Sequence, residues 1–255
     1  MRIAYVDMIG GAAGDMLLAA FLDAGLDRDA LERALRTVVA DGWTLKPMRV
    51  VKRGIAATYA GLVVPGEDGD EHHHHHHAHH LSEGGHHGET RTLGGVLEIV
   101  ERSGLTARQR ERASAVYRAL AKAEARTRGT TAGPMRFHEI GPIDAILDVA
   151  ATCVALDLLQ IDELRCSPFP IGTVPSSTDS RHDANGQRVT AHLLAGWPTR
   201  ALDVTDQLVT ATAAAILTTL AKPGDPQLTI KRIGYGAGRS DFSVPNVTRV
   251  LIGTR

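Results

Sequence analysis

An internal tract rich in histidine and acidic residues limits what the chain can fold into. Ten of the 13 histidines of this 255-residue chain lie between His72 and His87. Residues 67–91 carry six acidic side chains and one basic side chain, which gives a local charge of −5. Such a segment has too little apolar surface to offset the conformational entropy lost on folding. We therefore expect a mobile loop at 66–91 that interrupts a single domain formed by residues 1–255.

The charge and the hydropathy of the chain argue against a nucleic-acid-binding protein and against a membrane-spanning protein. The chain has 28 Lys and Arg against 29 Asp and Glu, so no overall positive field attracts nucleic acid or an anionic membrane. No apolar run reaches the length of about 18 residues that a membrane span needs. Residues 1–7 lack the features of a signal peptide, and we expect a cytoplasmic protein. Two cysteines, Cys153 and Cys166, are too few for a disulfide framework. We expect them to pack as small apolar residues, and a single disulfide between them is the alternative.

Periodicity in the first half of the chain predicts both strands and helices. Residues 2–9 have the pattern of a strand, and a helix is expected from Asp15 to about Ala24. Asp27 is suited to cap a second helix that Gly42 ends. Two further strand-like runs should form a hairpin that turns at Gly54; they are 43–52 and 55–64.

Helices dominate the segment from residue 92 to residue 159. One helix should begin near Thr92, and a second should begin under a capping box made by Thr106 and Gln109. A third should have Pro142 at its first helical position and a single buried stripe. The stripe consists of Ile143, Ile146, Leu147, Ala150, Val154 and Leu158.

Strands return towards the C-terminus. The remaining expected elements are an extended segment at 164–174, a polar loop at 175–186, a short helix at 189–195, a strand at 199–204, a helix at 211–221 capped by Thr210, and strands at 227–233 and 246–252 around a glycine-rich loop. Because strands and helices do not strictly alternate, we expect an α+β (mixed α/β) fold with a mixed sheet, packed helices and a disordered His-rich loop.

The His-rich tract predicts metal binding. Neutral imidazole is a favoured ligand of nickel, copper and zinc, and a flexible segment offers several geometries. A flexible tract controls coordination number poorly, so we expect it to collect metal and not to form the reactive centre. An affinity tag and a low-complexity solubilising loop are the alternatives. The candidate ligands are His72, His73, His74, His75, His76, His77, His79, His80, His86 and His87.

A second candidate group surrounds the start of the predicted helix after Pro142. His138 and Glu139 precede it, and Asp144 and Asp148 are one helical turn apart on one face. This group could hold a cation or carry out acid–base chemistry, and His138 is a further candidate metal ligand. The alternative is a capped helix with a solvated acidic edge.

Two glycine-rich segments are candidate binding loops. Asp7 precedes the turn at 10–14, where Gly14 and Asp15 open a helix that could cradle a phosphate. The turn lacks the Lys-Ser/Thr of a Walker loop, and packing of the glycines explains it equally well. Near the C-terminus, Gly236, Gly238 and Arg239 could approach a phosphate or carboxylate, or could form a long hairpin turn. His182 and His192 are more typical of structural histidines.

Taken in order, these motifs resemble the LarC family, the nickel insertion proteins of nickel-pincer-cofactor biosynthesis and lactate racemase maturation. The matching segments are Asp7…Gly-Ala-Ala-Gly14-Asp15-Met-Leu-Leu18, the His-rich insertion, Phe137-His138-Glu139-Ile-Gly141…Asp144…Asp148, Leu208-Val-Thr210…Ala-Ala-Ile-Leu217 and Gly234-Tyr-Gly-Ala-Gly238…Asp241…Pro245-Asn246…Arg249-Val250. No single segment is specific, but the ordered set is. The chain departs from the family pattern at Arg136, Ala211 and Ala213, and only loosely follows it around His182.

The resemblance implies a metal-inserting enzyme of the lyase class. The substrate would be pyridinium-3,5-bisthiocarboxylic acid mononucleotide, into which nickel is inserted with formation of a nickel–carbon bond. The family reaction uses CTP with Mg or Mn, and the family carries a CTP-binding domain beyond the matched segments. We expect a separate chain to supply that domain, or a shortened paralogue with altered activity. A nickel metallochaperone or storage protein and a catalytically silent partner are the alternatives, and homo-oligomerisation stays open.

Overall fold

The computed structural model describes residues 1–64, 91–131, 136–137, 141–173 and 183–255. Within these ranges it contains seven helices and a mixed sheet of seven strands, so the expectation of an α+β fold is confirmed. The predicted loop at 66–91 lies outside the described residues except for Arg91. His138, Glu139 and His182 also lie outside them. No helix in the described part of the chain combines the length and the apolar character needed to cross a membrane.

The main sheet places the first and last strands side by side at its centre. Its strands, in chain order, are β1 (Arg2–Asp7), β3 (Met48–Lys52), β4 (Ile55–Tyr59), β8 (Glu163–Cys166), β11 (Ala221–Pro223), β12 (Thr229–Ala237) and β13 (Val247–Thr254). Their order across the sheet is β11-β8-β1-β13-β12-β4-β3. β1 runs antiparallel to β13 and parallel to β8, and the predicted hairpin appears as the antiparallel pair β3–β4.

Short strands pair outside the main sheet. They are β2 (Thr44–Leu45) with β5 (Leu62–Val63), β6 (Arg91–Thr92) with β7 (Arg136–Phe137), and β9 (Phe169–Gly172) with β10 (Thr199–Leu202). The parallel β9–β10 pair helps to place the loop after β1, because Arg200 of β10 donates to the carbonyl oxygens of Met8 and Ile9.

Local capping chemistry predicts the starts of three of the described helices. The helices are α1 (Gly14–Asp23), α2 (Arg28–Arg36), α3 (Leu93–Arg102), α4 (Ala107–Thr127), α5 (Ile143–Leu158), α6 (Asp183–Leu193) and α7 (Ala211–Leu220). Asp27 accepts a hydrogen bond from the Ala30 amide at 3.0 Å, Thr106 and Gln109 form the capping box, and Thr210 accepts from the Ala213 amide at 3.2 Å. These bonds satisfy amides that the helices themselves leave unpaired.

The helical layer buries α5 at the centre of the core. α1 packs on β12, β13 and β4, α7 packs on β8 and β11, and α5 contacts both helices as well as α2 and α4. Every residue of α5 from Ala145 to Leu156 is buried, so the prediction of a single stripe is wrong. Leu158, which the stripe included, is 43% exposed because the helix ends there, beyond the core. Pro142 is the N-cap rather than the first helical residue.

Three further boundaries differ from the predictions. α2 ends at Arg36, so the predicted extension to Gly42 is not helical. α6 begins at Asp183 rather than residue 189, because a polar segment that resembles a loop forms its first turns. Residues 234–237 belong to β12 and not to a loop, since the glycines of that segment allow a helix to pack on the strand.

Both cysteines are buried and free of any disulfide, so the expectation that they pack as small apolar residues is confirmed. Ala211 and Ala213, two of the departures from the family pattern, are also buried, in the first turn of α7. His192 lies on the exposed face of α6. These positions contribute to packing or to the surface.

Candidate functional site

The turn after β1 is held rigidly between two distant segments. The Gly10 amide donates to the carbonyl of Val247, and the Ala12 amide donates to the carbonyl of Leu208 at 2.9 Å. A Cβ at Gly10 would lie 2.0 Å from the Pro245 carbonyl oxygen, and one at Gly11 would lie 2.4 Å from that of Leu208. These glycines are required for close backbone packing, which was the alternative to a phosphate cradle.

Gly14 brings the start of α1 against a carboxyl group of α5. A Cβ at Gly14 would lie 2.2 Å from Oδ2 of Asp148 and 2.7 Å from its Cβ. Asp15 follows in the first turn of α1, where helix amides favour a negative charge. The fold therefore joins two groups that the sequence analysis treated separately, Asp15 and Asp148.

Asp148 is a buried carboxyl group whose Oδ1 atom has no hydrogen-bond partner in the part of the chain that the structure describes. It is 9% exposed, and among the described residues its Oδ1 atom contacts no donor. Burial raises the pKa of Asp148 well above its usual value, and the nearby charges of Asp15 and Asp144 raise it further. The alternative of a solvated acidic edge is therefore wrong for Asp148.

Asp15 lies near the same negative charges, but neighbouring positive groups partly offset their effect on its pKa. Burial raises the pKa of Asp15, and the charge of Asp144 adds to the increase. The Met16 amide and the guanidinium of Arg239 act in the opposite direction. Arg239 thus connects the loop after β12 to the N-terminus of α1, although its side chain is exposed.

Asp144 is at the open end of this acidic group. It lies in the first turn of α5, is exposed, and accepts a hydrogen bond from the Ala145 amide at 2.6 Å. Asp144 and Asp148 share a helix face as predicted, but only Asp148 is buried. We name Asp15, Asp144 and Asp148 the acidic cluster.

Thr152, which is not among the candidate residues predicted from the sequence, extends the same face of α5. Thr152 is 1% exposed, and its Oγ1 atom also has no partner within the described residues. Thr152 follows Asp148 by one helical turn, and this spacing could have predicted that the two residues share a helix face. Tyr117 lies near the cluster and donates to the Ile146 carbonyl at 2.9 Å, while burial raises the pKa of its phenol.

The remaining candidate residues on β1, on β12 and directly after β12 have structural partners. A Cβ at Gly236 would lie 1.9 Å from the Met16 carbonyl oxygen, and one at Gly238 would lie 2.5 Å from Nδ2 of Asn246. Asp7 accepts a hydrogen bond at 2.6 Å from Arg249 on the neighbouring strand β13. These contacts hold α1, β12 and β13 together around the acidic cluster.

No three His, Cys, Asp or Glu side chains in the described ranges are arranged to hold a metal ion together. A cavity of about 160 Å³ lies beside the turn after β1, with lining residues that include Ile171, Leu194, Leu208 and Val209. It is predominantly apolar and lies on the α6 side of the turn. The cavity and the acidic cluster are therefore chemically distinct.

Comparison with known proteins places the chain in one family. The family model described as "Nickel insertion protein" matches residues 4–255. The chain is 36% identical over 254 residues to a putative nickel insertion protein of Roseiflexus castenholzii, covering 99% of this chain and 59% of the relative. It is 34% identical over 255 residues to the pyridinium-3,5-bisthiocarboxylic acid mononucleotide nickel insertion protein of Desulfitobacterium hafniense, covering 99% of this chain and 58% of the relative.

The chain thus spans about three fifths of the length of the curated relatives it matches. No solved structure matches it. The matched range of residues 4–255 spans every residue of the acidic cluster. The chain belongs to the nickel insertion protein family.

Proposed function

We propose that this chain inserts nickel into pyridinium-3,5-bisthiocarboxylic acid mononucleotide. The observation that carries the proposal is the match to the nickel insertion family over residues 4–255, together with relatives named for this substrate. The product is a nickel-pincer cofactor of the kind used by lactate racemase, and the reaction is a metal insertion of the lyase class. Nickel is a substrate of this reaction and not a resident cofactor.

The side chains of this protein suit both nickel and the mononucleotide that accepts it. Imidazoles of the tract at 72–87 suit nickel, and the two thiocarboxylate sulfurs of the acceptor also suit it. We propose that the tract collects nickel and passes it to a centre formed by His138, Glu139 and the acidic cluster. The nickel–carbon bond requires the loss of a proton from the pyridinium ring, and a carboxylate of this centre is suited to accept it.

The candidate residues of the two glycine-rich segments have positioning and binding roles in the proposal. Arg239 carries a planar guanidinium near Asp15, which suits a phosphate or carboxylate group of the mononucleotide. Gly14, Gly236 and Gly238 set the spacing of α1 and β12, and Asp7 fixes Arg249. We also propose that the reaction depends on CTP with Mg or Mn, and that a CTP-binding domain acts with this chain.

Reconstitution tests the proposal directly. The purified chain, without a tag, is incubated with nickel, the mononucleotide and Mg-CTP, and the nickelated product is sought by mass spectrometry and visible absorption. A parallel reaction contains a separately expressed CTP-binding domain. We expect product in at least one of the two reactions, and its absence from both would contradict nickel insertion by this chain.

Nickel storage is the second candidate function, and the His-rich tract is the feature that favours it. Two variants distinguish nickel insertion from nickel storage. His138→Ala should abolish product formation while bulk nickel uptake stays nearly unchanged. Deletion of 72–87 should raise the nickel concentration needed for activity but leave the maximal yield intact. A storage protein or metallochaperone would instead lose nearly all its nickel with the tract and show no dependence on His138.

A further inference from the structure

The apolar cavity beside the turn after β1 has no role in the function proposed above. It encloses about 160 Å³, and its walls come from the end of β9, from one face of α6 and from the segment 206–209. Its lining includes Ile171, Ala191 and Leu208, and Ile171 is 45% exposed. Sites for small molecules are typically concave and mostly apolar, with a few polar groups. The lining therefore predicts a small ligand with an apolar surface.

Hydrogen bonds fix the walls of the cavity relative to each other. Nε2 of Gln207 donates to the Val209 carbonyl at 2.9 Å and to Oγ1 of Thr190 on α6 at 3.3 Å. Val209 also pairs with Ala12 in a parallel bridge, and the Thr210 amide donates to the carbonyl oxygen of Ala12. Because the walls are joined to each other and to the turn after β1, the site is formed before a ligand arrives, which lowers the entropic cost of binding.

The size of the cavity suits one six-membered ring. Benzene binds in an apolar protein cavity of about 150 Å³, and the cavity here is close to that size, at about 160 Å³. Among the described residues that line it, none is Lys, Arg or His. A phosphate or thiocarboxylate group would lose its hydration there without gaining a cationic partner, so such groups must remain outside.

Asp206 determines the charge of the ring that fits best. It is the one acidic residue of the lining and is exposed, and within the described ranges no Lys or Arg pairs with it. A carboxylate beside an apolar wall attracts a cationic ring more than a neutral one. A pyridinium ring combines a flat apolar face with a delocalised positive charge, so it matches both properties of the lining.

The cavity also lies at the end of the fold that contains the acidic cluster. Ala12, which pairs with Val209 of the cavity wall, precedes Asp15 by three residues, a distance of at most about 11 Å along the chain. A substrate held at the cavity wall is therefore close to the start of α1.

We propose that this cavity binds the pyridinium ring of the mononucleotide, with Asp206 opposite the positive charge of the ring. The assignment rests on the proposed function, because the identity of the acceptor is taken from it. One face of the ring packs on the apolar wall. The two thiocarboxylates and the phosphate stay outside the cavity, where nickel can reach the sulfurs.

Two mononucleotides with the same ribose 5′-phosphate test the site without nickel. Nicotinamide mononucleotide carries a pyridinium ring, whereas cytidine monophosphate carries a neutral base. In saturation-transfer NMR on the full chain, we expect stronger saturation of the pyridinium ring protons than of the ribose protons. Cytidine monophosphate should bind about fivefold more weakly, since the attraction to Asp206 is that of an exposed ion pair. Absence of binding by nicotinamide mononucleotide, or equal affinity for the two nucleotides, would overturn the proposal.

Three variants assign the binding to this cavity. Ala191→Phe fills the cavity from α6 and should abolish the saturation of the ring protons. Ala195→Phe is the matched control, because Ala195 is equally exposed but does not line the cavity, and it should bind like the parent. Asp206→Asn should weaken binding of nicotinamide mononucleotide about two- to fivefold and leave that of cytidine monophosphate unchanged. Equal binding by the parent and Ala191→Phe would contradict the site.

The reconstituted reaction separates this inference from nickel insertion. Ala191→Phe should raise the KM for the bisthiocarboxylic acid mononucleotide, and Ala195→Phe should not. Product formation with an unchanged KM in Ala191→Phe would overturn the ring site and leave nickel insertion in place. Binding of nicotinamide mononucleotide as expected, without product in either reconstitution, would contradict nickel insertion and leave the ring site in place.

Discussion

Gly14 and Asp148 lie in direct contact, so that α1 and α5 meet at a point where one residue has no side chain and the other has a buried carboxyl group. Because both helices start near this contact, its geometry sets the position of Asp15. A small change at residue 14 should therefore affect stability and the acidic cluster together.

Gly14→Ala should destabilise the protein. The added Cβ would lie 2.2–2.7 Å from three atoms of Asp148, and the buried side chain cannot move away without displacing its neighbours. We expect a loss of about 1–3 kcal/mol in the free energy of unfolding, measured by denaturant titration. Gly94→Ala is the control: it lies in α3 with space around it and should stabilise the protein by about 0.5–1 kcal/mol. Similar values for the two variants would contradict the contact.

Gly236→Ala should be the more severe change. The new Cβ would lie 1.9 Å from the Met16 carbonyl oxygen and 2.7 Å from the Ala20 amide nitrogen, and neither backbone atom can rotate away. α1 would have to separate from β12. We expect a loss at or above the upper end of the range of about 1–3 kcal/mol that overpacking typically costs. Preserved stability, measured in the same titration, would show that α1 does not pack on β12 as described.

The pair formed by Asp7 and Arg249 should show energetic coupling. The two side chains face each other across β1 and β13, and Nη2 of Arg249 donates to Oδ2 of Asp7. Among the described residues, Nε of Arg249 has no partner. A double-mutant cycle with Asp7→Asn and Arg249→Gln should give a coupling energy of about 1 kcal/mol, because the pair is only partly exposed. Additive effects of the two substitutions would exclude a direct interaction.

Acid should weaken the edge of the sheet through Glu163. Hydrogen bonds from Lys222 and Arg165 lower the pKa of Glu163 from 4.5 to about 2. Since the folded pKa is the lower one, this stabilisation is present above about pH 4.5 and is lost as the pH falls towards 2.

Glu163→Gln tests this assignment. Its stability should vary less than that of the parent between these two pH values in urea titrations. Glu98→Gln is the control, because Glu98 forms an exposed pair with Arg102 on α3, and such pairs contribute little. A pH dependence unchanged in Glu163→Gln would contradict the assignment.

Both thiols should be unreactive in the native protein. Burial raises the pKa of Cys153 and of Cys166 to about 12, so the thiolate fraction near neutral pH is negligible. A thiol reagent at pH 8 should modify neither cysteine in buffer and both in denaturant. Rapid labelling of one cysteine under native conditions would show that its pocket opens.

Local chemistry made much of the secondary structure predictable. The capping residues Asp27, Thr106 and Thr210 marked three helix starts correctly because a cap depends on residues two or three positions away. The all-round burial of α5 was not predictable in this way, since it depends on four helices that approach from distant parts of the chain. The same holds for 234–237, where glycines typical of a loop permit a helix to pack on a strand.

The candidate site was predictable in parts but not as an assembly. Spacing along α5 placed Asp144 and Asp148 on one face. Nothing in the sequence alone indicated that Asp15 would join them, because that contact depends on how α1 and α5 pack. The assignment of Gly236 and Gly238 to ligand binding followed from composition, whereas their side-chain directions are filled by Met16 and Asn246.

The central position of β13 has a consequence for synthesis on the ribosome. Arg2 pairs with Thr254, and β13 joins the part of the sheet that contains β1 to the part that contains β12. Until residues 247–254 have emerged, β1 presents an unpaired edge that can associate with other chains. Contacts of such high sequence separation also form slowly. Protection of β1 by a chaperone until residues 247–254 have emerged would prevent this association.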